Sequence, residues 1–148
     1  MNLKDVIPCG NKKQVNIYTR AKRPDEMNKN ILVVDDEPSM LKLLQIILSK
    51  KYKVTLKNNG YEAMIWLLEG NYPDLIILDR QIPYLNAIEF VKSIKISGML
   101  SAIPLVVLTE VSDADNHDPD LIRHVNLIIN KPFNPLKLQN EISNLLAN

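Results

Sequence analysis

The stretch Leu75-Ile76-Ile77-Leu78-Asp79 limits most strongly what this chain can fold into. Its four consecutive apolar residues are too few for a buried helix and show no polar alternation. They read as a strand covered on both faces. The same form recurs in Ile31-Leu32-Val33-Val34, Leu105-Val106-Val107-Leu108 and Leu127-Ile128-Ile129. Val54 and Leu56, alternating with Thr55 and Lys57, supply a further strand, second in chain order.

Helical periodicity fills the intervals. Pro38 suits a first helical turn, followed by Met40, Leu41, Leu44, Ile47 and Leu48 on one side. Asn59-Gly60 opens a second helix with Ala63, Met64, Leu67 and Leu68 on its apolar side, and Gly70-Asn71 stops it. Ala87, Phe90, Val91 and Ile94 mark a third, ended near Gly98. Residues 112–118 are polar poor helix formers. A fourth helix of about two turns begins with Asp118 as cap and Pro119 in its first position. Leu138, Ile142 and Leu145 line a fifth. Short apolar strands alternating with helices predict an α/β fold: an open five-stranded parallel sheet with helices on both faces.

Residues 1–28 stand apart. They are polar, carry Pro8 and Pro24, and hold six Lys/Arg against three acids. The segment is expected to be a mostly irregular extension, with a short edge strand at Val15, Ile17 and Thr19, and the folded domain to span residues 29–148. The domain itself is slightly acidic and has no basic stripe, which argues against direct nucleic-acid binding. Cys9 is the only cysteine, so an intrachain disulfide is excluded. No apolar run approaches the ~18 residues that span a bilayer, so no membrane insertion is expected and the cytoplasm is the expected compartment.

In sheets of this kind ligands collect at the carboxyl ends of the strands. The first strand runs into Asp35-Asp36-Glu37, the third into Asp79, the fourth into Thr109 and the fifth into Lys131-Pro132. Taken singly, each has an ordinary structural reading, the aspartates as turn formers or helix caps. Together on one sheet edge they form a chemical set. Crowded carboxylates repel one another and favour a hard divalent cation, Mg²⁺ above all. Asp79 is a candidate nucleophile, because carboxylates form aspartyl phosphates. Lys131 supplies positive charge for phosphate oxygens and Thr109 a hydroxyl donor.

Ile31-Leu32-Val33-Val34-Asp35-Asp36-Glu37-Pro38, Leu75-Ile76-Ile77-Leu78-Asp79, Val106-Val107-Leu108-Thr109 and Lys131-Pro132-Phe133 closely resemble the response regulator receiver domain of two-component signalling. The spacings agree, with 43 residues from Asp36 to Asp79, 30 more to Thr109 and 22 more to Lys131. The resemblance covers about residues 29–148. It implies the flavodoxin-like strand order 2-1-3-4-5 and makes Asp79 the phosphoacceptor. Asp35 and Asp36 correspond to the acidic pair at Mg²⁺, with Asp36, Asp79 and the backbone carbonyl of Gln81 as direct ligands. Thr109 corresponds to the switch hydroxyl, and Lys131 to the phosphate-pairing lysine, followed by a cis peptide to Pro132. The implied partners are a sensor histidine kinase or phosphotransfer protein as phosphoryl donor and a downstream protein docking around the fourth helix, fifth strand and fifth helix. The implied chain is a phosphorelay switch rather than an enzyme, without an output domain, and pairing of two copies through the last helix is compatible with it.

Four departures from the family pattern fall on the pocket rim or output side, one being the polar, proline-bearing Asp113–Pro119 region that makes the fourth helix atypical. Glu110 stands where a small residue is usual. Facing the pocket it would repel phosphate, whereas pointing outward it would leave only its backbone N–H to matter. Ala87 replaces a common glycine and would be strained if the backbone there needs positive φ. Ile128 replaces the usual aromatic switch residue. Arg80 is a candidate rim cation, and His117 and His124 read as surface residues near the short fourth helix.

The alternative from another class is a receiver-like scaffold that binds partners without being phosphorylated, favoured by Glu110 and Ile128. An Asp-dependent phosphohydrolase would need an acid two residues beyond Asp79, where Gln81 stands, and no glycine-rich nucleotide loop is present. Deleting residues 1–26 is expected to leave the melting temperature almost unchanged. A large drop on thermal denaturation would show that the extension is part of the folded core.

Overall fold

The computed structural model describes residues 28–110 and 118–147. The expected edge strand near Val15, Cys9, the polar residues 112–117 and His117 lie outside the described residues. Five strands alternate with five helices: β1 (Asn30–Val34), α1 (Pro38–Leu48), β2 (Lys53–Lys57), α2 (Gly60–Leu68), β3 (Leu75–Asp79), α3 (Ala87–Ile96), β4 (Leu105–Glu110), α4 (Pro119–His124), β5 (Leu127–Lys131) and α5 (Pro135–Ala147).

The strands form one parallel sheet in the order β2-β1-β3-β4-β5. The four-residue apolar runs occupy its interior because only there are both faces of a strand covered. Leu75 to Leu78 in β3 are all fully buried. Alternate residues feed two cores. Leu32, Val34, Ile76, Leu78, Leu105 and Val107 pack on one face with Ala63, Leu67, Phe90, Val91, Ile94 and Leu121 from α2, α3 and α4. Ile31, Val33, Leu75, Ile77, Val106 and Leu108 pack on the other with Leu44, Ile47, Leu48, Leu138 and Ile142 from α1 and α5. β2 lies at an edge, which explains its alternating sequence and its half-buried Val54 and Leu56.

The helix signals act where expected. Asn59 caps α2 by accepting from the Glu62 amide at 2.7 Å, and Gly70 follows that helix with φ 97°. Asp118 caps α4, accepting from the Asp120 amide at 2.9 Å, and the helix has only six residues. Asn86 caps α3 by accepting from the Glu89 amide at 2.9 Å. Ala87 is therefore already the first residue of α3, and is not among the residues of positive φ. The strain considered for Ala87 does not arise there. Tyr84 takes the left-handed conformation instead, at φ 71°. No helix among the described residues is long and apolar enough to cross a membrane.

Among the described residues Phe90 is the largest fully buried side chain, whereas Ile96 on the same helix is 87% exposed. Phe90→Ala is expected to cost about 3–5 kcal/mol, and Ile96→Ala less than about 0.5 kcal/mol, both read by urea denaturation. Equal costs would contradict the placement of this core.

Candidate functional site

Parallel pairing puts the carboxyl ends of β1, β3, β4 and β5 along one edge of the sheet. The chain there turns polar at the first position beyond each buried run. Asp35 directly follows β1, and its amide extends the ladder by donating to the Lys57 carbonyl at 3.1 Å. Asp79 is the last residue of β3, and Arg80 beyond it donates its amide to the Leu108 carbonyl at 2.8 Å. Lys131 closes β5, and the following peptide to Pro132 is cis, as expected.

These tips converge on a buried charge cluster. The Lys131 ammonium donates to Asp79 Oδ2 at 2.8 Å and lies 3.6 Å from Asp35 Oδ2. Lys131, Asp79 and Asp35 are all buried, Asp35 completely. Asp35 Oδ1 accepts from the Glu37 amide at 3.0 Å, and Asp79 Oδ1 accepts from the Gln81 amide at 3.0 Å. Each carboxylate thus holds the loop that follows it. Asp36 is exposed, yet it offers a carboxylate oxygen within 4.8 Å of those of Asp35 and Asp79.

Burial pushes the Asp35 carboxyl up to about 6. The Glu37 amide and Lys131 pull it down, while the Asp79 carboxylate pushes it further up. For Lys131 desolvation acts to lower the pKa, but the hydrogen bond to Asp79 and the charges of Asp79, Asp35 and Glu110 outweigh it. The ammonium therefore titrates above its ordinary range and stays charged at neutral pH.

The donor set fits a hard divalent cation. Three carboxylates converge, and Asp35 Oδ2 is buried without a hydrogen-bond partner. One ammonium does not satisfy that many oxygens, and a cation with oxygen ligands would.

The remaining candidates fall around this cluster. Thr109 is buried on β4, opposite Asn130 in register, and its hydroxyl lies 3.5 Å from the Glu110 carbonyl, too long for a strong bond. Glu110 is exposed and stands opposite Lys131 in register, near enough for its charge to act on that ammonium. Arg80 is half-buried and Gln81 exposed on the loop after β3. Ile128 lies three residues before the site lysine on β5 and lines a separate cavity of about 390 Å³ between β5 and α5, with Phe133, Lys137 and Glu141. His124 ends α4, away from the cluster. Tyr84 was not foreseen. A left-handed tyrosine costs on the order of 1 kcal/mol. The residue in this loop best suited to that conformation, Asn86, is committed to capping α3.

The family model of the response regulator receiver domain matches residues 31–143. The chain belongs to that family. Among curated relatives, this receiver domain is 34% identical over 121 residues to the alkaline phosphatase synthesis transcriptional regulatory protein PhoP of Bacillus subtilis, covering 81% of this chain and 49% of that protein. The chain thus spans about half the length of the curated relatives it matches. Among solved structures, the receiver domain of a signal transduction histidine kinase from Syntrophus aciditrophicus is 30% identical, with a TM-score of 0.70, covering 80% of this chain and 90% of that one. The receiver domain of the sensor histidine kinase PA1611 from Pseudomonas aeruginosa, solved with magnesium coordinated in its active-site cleft, shares the fold at 24% identity and a TM-score of 0.74, covering 82% of this chain and 99% of that one.

The raised Asp35 pKa has a definite sign. A carboxyl that binds its proton more tightly when folded disfavours folding above about pH 6, and this penalty vanishes below the unfolded value of 3.8. In metal-free buffer, Asp35→Asn should therefore stabilise the receiver domain at pH 7 by on the order of 1–3 kcal/mol. The gain should shrink as the pH falls toward 4, as measured by denaturation at each pH. A gain independent of pH would contradict the assignment.

Proposed function

We propose that this receiver domain is a phosphoryl-accepting signalling switch, phosphorylated on Asp79 with Mg²⁺ as cofactor. The observation that carries this reading is the 2.8 Å contact of Lys131 with Asp79 beside two further carboxylates at the strand tips. Asp36, Asp79 and the Gln81 carbonyl would hold Mg²⁺, with Asp35 beside them. Bound there, Mg²⁺ would neutralise charge on the phosphoryl group.

The chain's own residues do the rest. An oxygen of Asp79 attacks phosphorus, forming an O–P bond while the donor's bond to phosphorus breaks and its electron pair leaves with the donor. Lys131 holds Asp79 before transfer, and its fixed charge then serves the phosphoryl oxygens. Burial strengthens that interaction, since little water competes for the ammonium. Thr109 is one strand over, at the carboxyl end of β4, and under this reading its hydroxyl turns toward the modified Asp79. Such a turn would bias β4 and the segment after it between two arrangements.

The donor under this reading is a sensor histidine kinase or a phosphotransfer protein, and the output is a protein contact in the cytoplasm rather than catalysis or nucleic-acid binding. Glu110 is exposed rather than buried with the cluster, though its charge still reaches the Lys131 ammonium. Ile128 in place of an aromatic residue keeps the scaffold reading alive for the output side. Incubation with Mg²⁺ and acetyl phosphate should add one phosphoryl group to wild type and none to Asp79→Asn, as read by intact mass. Identical spectra for the two proteins would defeat the proposal and favour the unphosphorylated scaffold.

A further inference from the structure

Gly60 begins α2, and the reason for glycine there is space. It is not among the glycines of positive φ, and alanine is intrinsically the better helix former. Yet a Cβ at position 60 would lie 2.6 Å from the Leu85 carbonyl oxygen, 3.0 Å from Ile82 Cδ1 and 3.2 Å from Leu85 Cβ. The first of these is backbone, so it cannot swing aside. Ile82 is buried in the core that also holds Ala63, Leu67, Ala87 and Phe90, which leaves its side chain little room to retreat. A side chain at position 60 therefore has to displace the loop between β3 and α3.

That loop carries part of the site. Gln81 precedes Ile82 and donates its amide to Asp79 Oδ1 at 3.0 Å. The loop has little slack. Its near end is tied to β4 by the Arg80 amide, and its far end is fixed by the Asn86 cap. Between them the Leu85 amide turns back to the Pro83 carbonyl at 3.0 Å, and Tyr84 sits at φ 71°. The left-handed tyrosine and the missing side chain are two parts of one arrangement that presses Leu85 against the first turn of α2.

We propose that Gly60 is a positioning residue for the acidic site. By letting the loop seat against α2, it sets where Gln81 presents its backbone to Asp79 and to Mg²⁺. This rests on the reading above that the Gln81 carbonyl is a Mg²⁺ ligand. The mechanism is steric, and it reaches the site through Ile82 and Leu85 rather than by contact with substrate.

The test compares the full chain as wild type, Gly60→Ala, Gly98→Ala and Gly60→Ala/Tyr84→Gly. Gly98 is the control, because a Cβ there meets nothing within 4 Å. Amide spectra of the metal-free proteins report Gln81, and Mg²⁺ titration reports affinity. Gly60→Ala should shift the Gln81 resonance without metal and weaken Mg²⁺ binding by about tenfold. Gly98→Ala should change neither. Tyr84→Gly should restore part of the affinity, since glycine lets the loop re-form around the added methyl. An unmoved Gln81 resonance with wild-type affinity in Gly60→Ala overturns the proposal. If Gly60→Ala fails to fold, recovery by Tyr84→Gly supports the loop as the point of strain, and no recovery overturns it. Failure of wild type to bind Mg²⁺ defeats the metal reading, and the Gln81 resonance in the metal-free proteins still decides whether Gly60 positions the loop.

Discussion

The buried contact of Lys131 with Asp79 and Asp35 is the interaction on which the rest of the site depends. Two carboxylates at the tip of a covered sheet repel each other in a medium that screens poorly. An ammonium 2.8 Å from one and 3.6 Å from the other offsets that repulsion. The compensation is partial, since Asp35 still holds its proton to about pH 6 and one of its oxygens lacks a hydrogen bond. An incompletely satisfied cluster favours whatever brings further positive charge or accommodates further oxygens. That is the physical basis on which the donor set fits a hard cation.

The fold makes the cluster affordable by keeping everything around it simple. Each carboxylate accepts a backbone amide two residues on, so Asp35 and Asp79 also shape the loops they begin. Below them the strands are apolar on both faces, and the two cores anchor the sheet independently. Among the described residues the one non-glycine residue of positive φ is Tyr84, in the short loop after Asp79 that packs closely on Gly60. Strain next to a site and ease elsewhere is the usual division in a domain that must hold a few groups in costly positions.

The region of α4 and β5 is built differently. α4 is a six-residue helix, and Ile128 faces the cavity between β5 and α5 without an aromatic ring. Glu110 is exposed but electrostatically linked to Lys131. The buried cluster at the strand tips and the segment around α4 and β5 are thus under separate physical control. The former are fixed by burial and charge, the latter by a short helix and a surface carboxylate.

Much of this was legible in the chain itself. Four-residue apolar runs can be satisfied only by two-sided burial, so 75–78 and 105–108 announced a covered parallel sheet. Asp79 and Thr109 were singled out because they are the first polar groups after such runs, and Lys131 because it follows Asn130 beyond the three-residue run Leu127-Ile128-Ile129. Asn59, Asp118 and Gly70 were readable because capping and turning are local. Other features depended on distance in space rather than in sequence. Nothing in Asn59-Gly60 says that Leu85 will press against it, and nothing in Pro83-Tyr84-Leu85-Asn86 says that tyrosine, not Ala87, takes positive φ. Those outcomes were decided when α2 and the loop after β3 packed against one another. The sequence by itself determined which polar residues stand at the ends of the covered strands, because strand burial and charge are written locally. Only the tertiary structure decided how closely they meet and which backbone yields, because those depend on packing between segments far apart in the chain.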